Sequence, residues 1–404
     1  MNEPASSKLA TYNTEDLFSS LSGEGYSAQL RGFNAIDRYL NLPSLPYTWI
    51  ETDANIAVLA KFIENLRFPG MDIADGAADI PGGTCYFSCL ENGEQIKPSS
   101  PLLSFAYNCE RRRFLDPLNI YPLVRKLKDG ADLSWEEAGF IQNAAGIDRY
   151  RTIMDISLFA ARYNMEPFTP GQIDIFSEAM ETPSGIPSGN YHPAPPPSPE
   201  TQRTFLCCLL ISPWPEKGFE ILKQTGFLEE FWPILSSLNE VDHSKEFHPE
   251  GNVWNHTMET FQHRKALGSG AFDLRLSLGL LLHDAGKPIA ASNGGRRFDG
   301  HAELGAKTAA RFLERLEFEP TLVQDIYYLV KNHMLPAALK RLPLAKTSKI
   351  MASPLFPTLM ELYRCDESSS FKGLDNYYEN SAAYQSYLKK LKNPYINIRQ
   401  TWSG

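Results

Sequence analysis

No stretch of this sequence is apolar for long enough to cross a membrane. The longest runs, such as Leu278–Leu282 and Cys207–Ile211, fall far short of the roughly 20 residues a spanning helix needs. Cysteine is scarce, six in 404 residues, which excludes a disulfide scaffold. Cys85 and Cys89 are spaced C-x3-C, but no second pair and no nearby histidine accompanies them. They read as small buried residues of a strand rather than as zinc ligands. An excess of positive charge is also missing. Lys plus Arg is 39 against 48 Asp plus Glu, a net charge of -9, so a broad nucleic-acid coat is excluded and DNA is not an expected partner. The opening residues show no basic segment followed by an apolar one, so no secretory signal is expected. These absences together point to a cytoplasmic protein with reduced thiols and no membrane partner. What is present is ordinary globular composition, 43% hydrophobic and 22% charged, in a chain long enough for two to four domains.

The pattern changes along the chain. Residues 1–25 are polar and aperiodic and read as a flexible tail. From 26 to 130, strand and helix signals alternate, as in a small mixed-sheet domain. GFNAIDRYL reads as a short helix, YTWIE as a strand, and Asn55–Leu66 carries apolar residues at helix spacing. Thr84–Leu90 followed by Gly93–Ile96 suggests a hairpin. Residues 131–182 turn helical, with segments at Trp135–Asn143 and Tyr150–Tyr163. The stretch 183–200 is dense in proline and reads as a linker. Residues 201–240 form a helical connector, and 241–404 an all-helical domain with further C-terminal helices.

Seven of the eight histidines lie between His243 and His333. Histidines clustered among acids are raw material for a metal site. In LGLLLHDAGKP (278–288) an apolar helical run delivers the adjacent pair His283 and Asp284, and Gly286 and Pro288 end the helix. A buried Asp beside a buried His is costly unless both are paired or bound to a cation. Further ligands must come from other segments: His256 in NVWNHTMETF, His301 at the start of one helix, and His333 and Asp366 at the ends of two others. Four imidazoles and two carboxylates suit one or two divalent ions, with Mn, Fe, Co, Ni, Mg and Zn all admissible. His243 and His248 read as loop or packing residues, and His263 as an interface histidine. The aromatic residues Tyr39, Tyr47 and Trp49 read as core.

The ordered set His256, His283, Asp284, His301, His333, Asp366 resembles the HD superfamily of metal-dependent phosphohydrolases. FHPEGNVWNHTMETF, LLLHDAGKP, GHAELGA and LYRCDESSS, over roughly residues 203–370, resemble the HD domain attached to certain bacterial CCA-adding tRNA nucleotidyltransferases. The N-terminal half resembles the head of those enzymes more weakly. Gly32 and Asp37 match its opening turn, but Phe33 and Ile36 replace a glycine and an arginine. Tyr47 and Trp49 stand where that family carries its two metal-binding aspartates. RRRFLDPLN (111–119) resembles the segment that closes the head's sheet, and FAARYNMEPF (159–168) the start of the neck. The nucleotide-binding Arg-Arg-Asp motif is replaced by EQIKPSS, and of the neck's arginines only Arg151 is matched, with Met154 and Ser157 at the other positions.

The resemblance implies an α+β multidomain protein. A nucleotidyltransferase-like head with a small mixed sheet would be followed by a mostly α-helical neck and an all-α HD domain. It implies phosphatase or 2',3'-cyclic phosphodiesterase chemistry on a nucleotide or RNA-end phosphate, with tRNA a possible partner and the head catalytically inactive. Asp284 would orient the attacking hydroxide and Lys287 would neutralise a phosphate charge. Arg264, Arg296 and Arg297 are further phosphate-binding candidates, the last two in the basic loop GGRRF. Two other readings compete. A CCA-adding enzyme would need displaced carboxylates, for example Glu51 and Asp53. A non-catalytic nucleotide or RNA sensor would have little need for six metal ligands.

Overall fold

The computed structural model describes residues 14–70, 74–80, 83–90, 98–140, 148–181, 195–242, 251–268, 270–292, 298–370 and 373–391. These fall into two compact units, residues 1–227 with 268–271, and residues 228–267 with 272–404. No helix among them is long and apolar enough to cross a membrane.

The first unit opens with helix α1 (Thr14–Gly23), where the sequence suggested only a loose tail. Leu17, Phe18 and Leu21 are buried, and that burial is what orders the segment, whose polar composition hides a three-residue apolar stripe. Six strands then form one mixed sheet in the order β3-β4-β2-β1-β5-β6. They are β1 (Ala28–Arg31), β2 (Tyr47–Thr52), β3 (Gly76–Ile80), β4 (Gly83–Cys89), β5 (Ala106–Asn108) and β6 (Arg113–Leu115). Only β2 and β4 pair in parallel, Ile50 opposite Phe87. Cys85, Tyr86, Phe87 and Ser88 are buried consecutively, so β4 is covered on both faces. The expected hairpin forms one strand earlier than the sequence suggested. The partner of β4 is β3, antiparallel, whereas Gly93–Ile96 lies outside the described residues.

Helix α2 (Phe33–Leu40) begins directly after β1 at Gly32, whose φ of 61° few other residues adopt. Asn34 then ties the helix to β2, donating to the Tyr47 carbonyl at 3.1 Å and accepting from the Trp49 N–H at 2.9 Å. The helices α3 (Ile56–Phe62), α4 (Tyr121–Asp129), α5 (Arg149–Tyr163), α6 (Pro170–Glu181), α7 (Pro199–Ile211) and α8 (Pro215–Gln224) complete the unit. The helix predicted over Trp135–Asn143 is described only as Trp135–Ala138. Inside the unit Arg162 of α5 forks onto Asp37 of α2, Nε to Oδ1 at 3.0 Å and Nη2 to Oδ2 at 2.9 Å, and Tyr163 donates to the same carboxylate at 2.9 Å. This buried ion pair gives Asp37 a structural role. Most of the Pro-rich stretch lies outside the described residues. Its end caps α7, with Ser198 Oγ accepting from the Thr201 N–H.

The second unit is helical: α9 (Val253–Gln262), α10 (Leu274–Leu282), α11 (Lys287–Ser292), α12 (His301–Arg315), α13 (Pro320–Asn332), α14 (Leu344–Met351), α15 (Phe356–Ser368) and α16 (Asp375–Leu391). Helix α10 is buried from Leu276 to Leu282 and packs against α9, α12, α13 and α15, which explains why its sequence is apolar all round. A Cβ at Gly279 would lie 2.9 Å from Leu362 and 3.3 Å from Leu329, so the glycine permits this central packing.

A candidate metal centre

The helices of the second unit bring six sequence-predicted residues together. His283 and Asp284 follow the C-terminal end of α10, where Ala285 and Gly286 turn the chain into α11. Gly286 crosses α12 so closely that a Cβ there would collide with the His301 carbonyl and lie 2.5 Å from the Gly305 nitrogen. That crossing sets His301, the first residue of α12, beside Asp284. His333 follows the last turn of α13, Asp366 lies near the end of α15, and His256 sits in the middle of α9.

Two groups of potential ligand atoms result, each within 4.8 Å: His256, His283 and Asp366, and Asp284, His301 and His333. Asp284 links them. Its Oδ2 lies 3.3 Å from His283 Nε2, and its Oδ1 lies 3.7 Å from His301 Nε2 and 3.9 Å from His333 Nε2. Its two oxygens face opposite sets.

The hydrogen bonds fix how the rings face. His283, His301 and His333 each donate Nδ1–H to the carbonyl three residues earlier, Leu280 at 2.8 Å, Phe298 at 2.9 Å and Val330 at 2.7 Å. Ser369 donates to the Asp366 carbonyl and so is placed to accept from His256 Nδ1, 3.2 Å away. These partners assign Nδ1 as the protonated nitrogen and turn all four Nε2 atoms inward. His301 Nε2 and His333 Nε2 are 3.1 Å apart, and His283 Nε2 is buried without a hydrogen-bond partner. His256 Nε2 faces Asp366 Oδ1 at 2.9 Å. Ring nitrogens converging on one another and on carboxylates suit a cation between them. The residues present therefore fit a divalent ion.

The electrostatics agree. Burial would raise the Asp284 carboxyl, but His283 and Lys287 outweigh it and hold it well below the usual carboxylate range. Burial likewise opposes ionisation of Asp366, and the neighbouring rings of His256, 2.9 Å away, and His283 lower it instead. Burial and the neighbouring His283 push His333 down to about 4, so it stays a neutral ligand. Burial also lowers His301.

Residues 253–358 match the HD domain family model. The chain carries an HD domain. Two curated relatives are similar to it. The multifunctional CCA protein of Halorhodospira halophila is 33% identical over 126 residues, 31% of this chain and 29% of that protein. The CC-adding tRNA nucleotidyltransferase of Thermus thermophilus is 31% identical over 205 residues, 49% of this chain and 46% of that protein. The chain thus spans less than half the length of these relatives. Among solved structures, the Bacillus stearothermophilus CCA-adding enzyme in complex with CTP is 11% identical, with a TM-score of 0.48, covering 92% of this chain and 81% of that one. The relatives are of the kind the motifs indicated.

Other predicted residues fall elsewhere. Lys287 opens α11 and binds Asp284 Oδ2 at 2.6 Å, so its first role is to hold that carboxylate. Arg264 is buried over the Phe272 ring and donates to Ser277 at 2.8 Å, which corrects its reading as a phosphate ligand. His263 caps α9 with Nε2 buried, as a packing histidine. Arg296 and Arg297, with His192, His243 and His248, lie outside the described residues. Tyr47 and Trp49 pack on Tyr86, and Tyr39 on Phe105 and Phe114. Ser369 was missed. It lies three residues after Asp366 in CDESSS, but a serine there carries no ligand signal of its own.

Proposed function

We propose that the HD domain hydrolyses a phosphate ester of a nucleotide or of an RNA end, as a phosphatase or 2',3'-cyclic phosphodiesterase, and that the sheet-bearing unit performs no transfer. The observation that supports this most is the convergence of four Nε2 lone pairs and two ionised carboxylates around Asp284. His256, His283 and Asp366 would hold one ion, and His301, His333 and Asp284 a second, Asp284 being shared. An ion bound there supplies Lewis acidity, lowering the pKa of water and polarising a phosphoryl oxygen. Asp284 accepts a hydrogen bond from the attacking water and orients it. Lys287 keeps Asp284 ionised and brings a positive charge to the side where a phosphate oxygen enters. The curated relatives are named for tRNA end processing, so a tRNA 3' end is the first RNA to offer.

Glu51 and Asp53, which nucleotidyl transfer would require, are engaged otherwise. Glu51 binds Gln29 and Arg31, and Asp53 accepts from the Ser27 N–H at 2.7 Å. The test is metal analysis of the purified chain, with turnover of 2',3'-cyclic AMP, nucleoside monophosphates and p-nitrophenyl phosphate under Mn, Ni, Co or Mg. Bound metal and turnover lost in Asp284→Ala are expected. A protein with neither metal nor turnover overturns the reading.

A further inference from the structure

The turn that leads into α12 holds a side chain its backbone does not favour. Phe298 has φ 56°, in the left-handed region, and is the one aromatic residue with such a φ among the described residues. A bulky side chain is disfavoured there because its Cβ crowds the following carbonyl. The backbone's duties account for the turn but not for the ring. The Phe298 carbonyl accepts from the His301 backbone N–H at 3.0 Å and from its Nδ1–H at 2.9 Å. Glycine would present the same carbonyl without the clash, and Gly300, two residues on, adopts φ 78°. The chain thus keeps a phenyl ring where local sterics favour none, and strain of this kind gathers where ligands are handled.

The ring stands at the mouth of the metal centre. His256, His283 and His333 are 1% exposed, whereas His301 is 12%, Lys287 13% and Asp366 24% exposed, so solvent reaches the centre from the side of these three. Lys287 Nζ, 2.6 Å from Asp284 Oδ2, lies 5.8 Å from the centroid of the Phe298 ring. That distance is near the outer limit of about 6 Å for a cation over a ring, so seating Lys287 is a minor duty. Phe298 is half-buried rather than packed into the core. A phosphate that meets Lys287 therefore has this ring beside it, and the esterified group leads outward past the ring. Of a sugar and a base, only the base offers a flat π-face to stack on an aromatic side chain.

We propose that Phe298 determines the specificity of the HD site, its ring being the platform on which the base of the nucleotide or RNA end stacks. This rests on the phosphohydrolase reading and adds to it a preference for base-bearing esters. Phe298→Gly removes the ring and keeps the turn. The phosphonate analogue of AMP, which resists hydrolysis, and methylphosphonate, which has no base, are titrated calorimetrically into the manganese-loaded chain. The binding event counted is the one absent in Asp284→Ala. Phe298→Gly is expected to weaken the AMP analogue about 5- to 150-fold and to leave methylphosphonate unchanged, with Phe298→Trp restoring the loss. KM for 2',3'-cyclic AMP should rise by the same factor at unchanged kcat. Metal analysis and thermal melts check that ions and fold remain. Should the glycine variant unfold, Phe298→Leu, which keeps bulk without a π-face, is expected to show the same split. The proposal is overturned if both ligands weaken together, as a ring that only seats Lys287 requires, or if neither weakens. Weakening of the analogue alone, in a chain that hydrolyses no ester, supports the platform and overturns only the phosphohydrolase reading.

Discussion

At the scale of single residues, the metal centre makes unequal demands on its members. Asp284 touches both ligand groups, so Asp284→Ala is expected to lower phosphohydrolase turnover by at least about 10²-fold. Ser369 joins the Asp366 carbonyl to His256 Nδ1 and so fixes the His256 ring. Ser369→Ala should therefore weaken metal binding or turnover by about 10- to 100-fold with the fold intact. Metal titration of the two variants, read with their circular dichroism, separates ligand loss from ligand disorder. The candidate ligand histidines stood out in the sequence because chemistry restricts which side chains can serve, and the adjacent His283 and Asp284 sit at the end of an apolar helix. Ser369 was not legible, because a serine has many uses and only the fold aims it at His256.

At the scale of elements, two junctions position the chemistry. The first is the approach of Gly286 to the start of α12. Gly286→Ala forces His301 away from Asp284 and is expected to destabilise the HD domain by about 1–3 kcal/mol, measured by urea unfolding, with loss of bound metal. Gly171, with nothing within 4 Å of an added Cβ, is the control, and Gly171→Ala should leave stability unchanged or slightly raised. The second junction is the Arg162–Asp37 pair between α2 and α5. Arg162→Met strands a buried carboxylate and should cost about 3–5 kcal/mol, whereas the double variant with Asp37→Leu should regain much of it. Helix spacing announced α2, α3, α5 and α10 in the sequence. It did not announce α1, whose stripe is too short, nor that β4 pairs back to β3, because pairing choice depends on which edge the fold leaves open.

At the scale of the whole molecule, the candidate ligand clusters among the described residues lie in one unit. Metal binding stabilises only the folded form that holds the ligands, by about 2.7 kcal/mol at a hundredfold excess over Kd. Removing the ion with EDTA is expected to lower the calorimetric transition of the HD domain by several degrees and to leave that of the sheet-bearing unit in place. In Asp284→Ala the same treatment should produce little change. Addition of labelled nucleotide to a tRNA lacking its 3' end should give no product, as the proposed inactivity of the sheet-bearing unit requires.

The sequence by itself determined which residue types could hold a cation and where apolar periodicity demanded helices. Those properties are local. They follow from side-chain chemistry and from the periods of strand and helix. Tertiary structure alone decided that Asp284 turns one oxygen to His283 and the other to His301 and His333, that Lys287 goes first to Asp284, and that Arg264 is buried over Phe272. Each of these depends on which helices cross and how closely, and that is set by packing between residues distant in sequence.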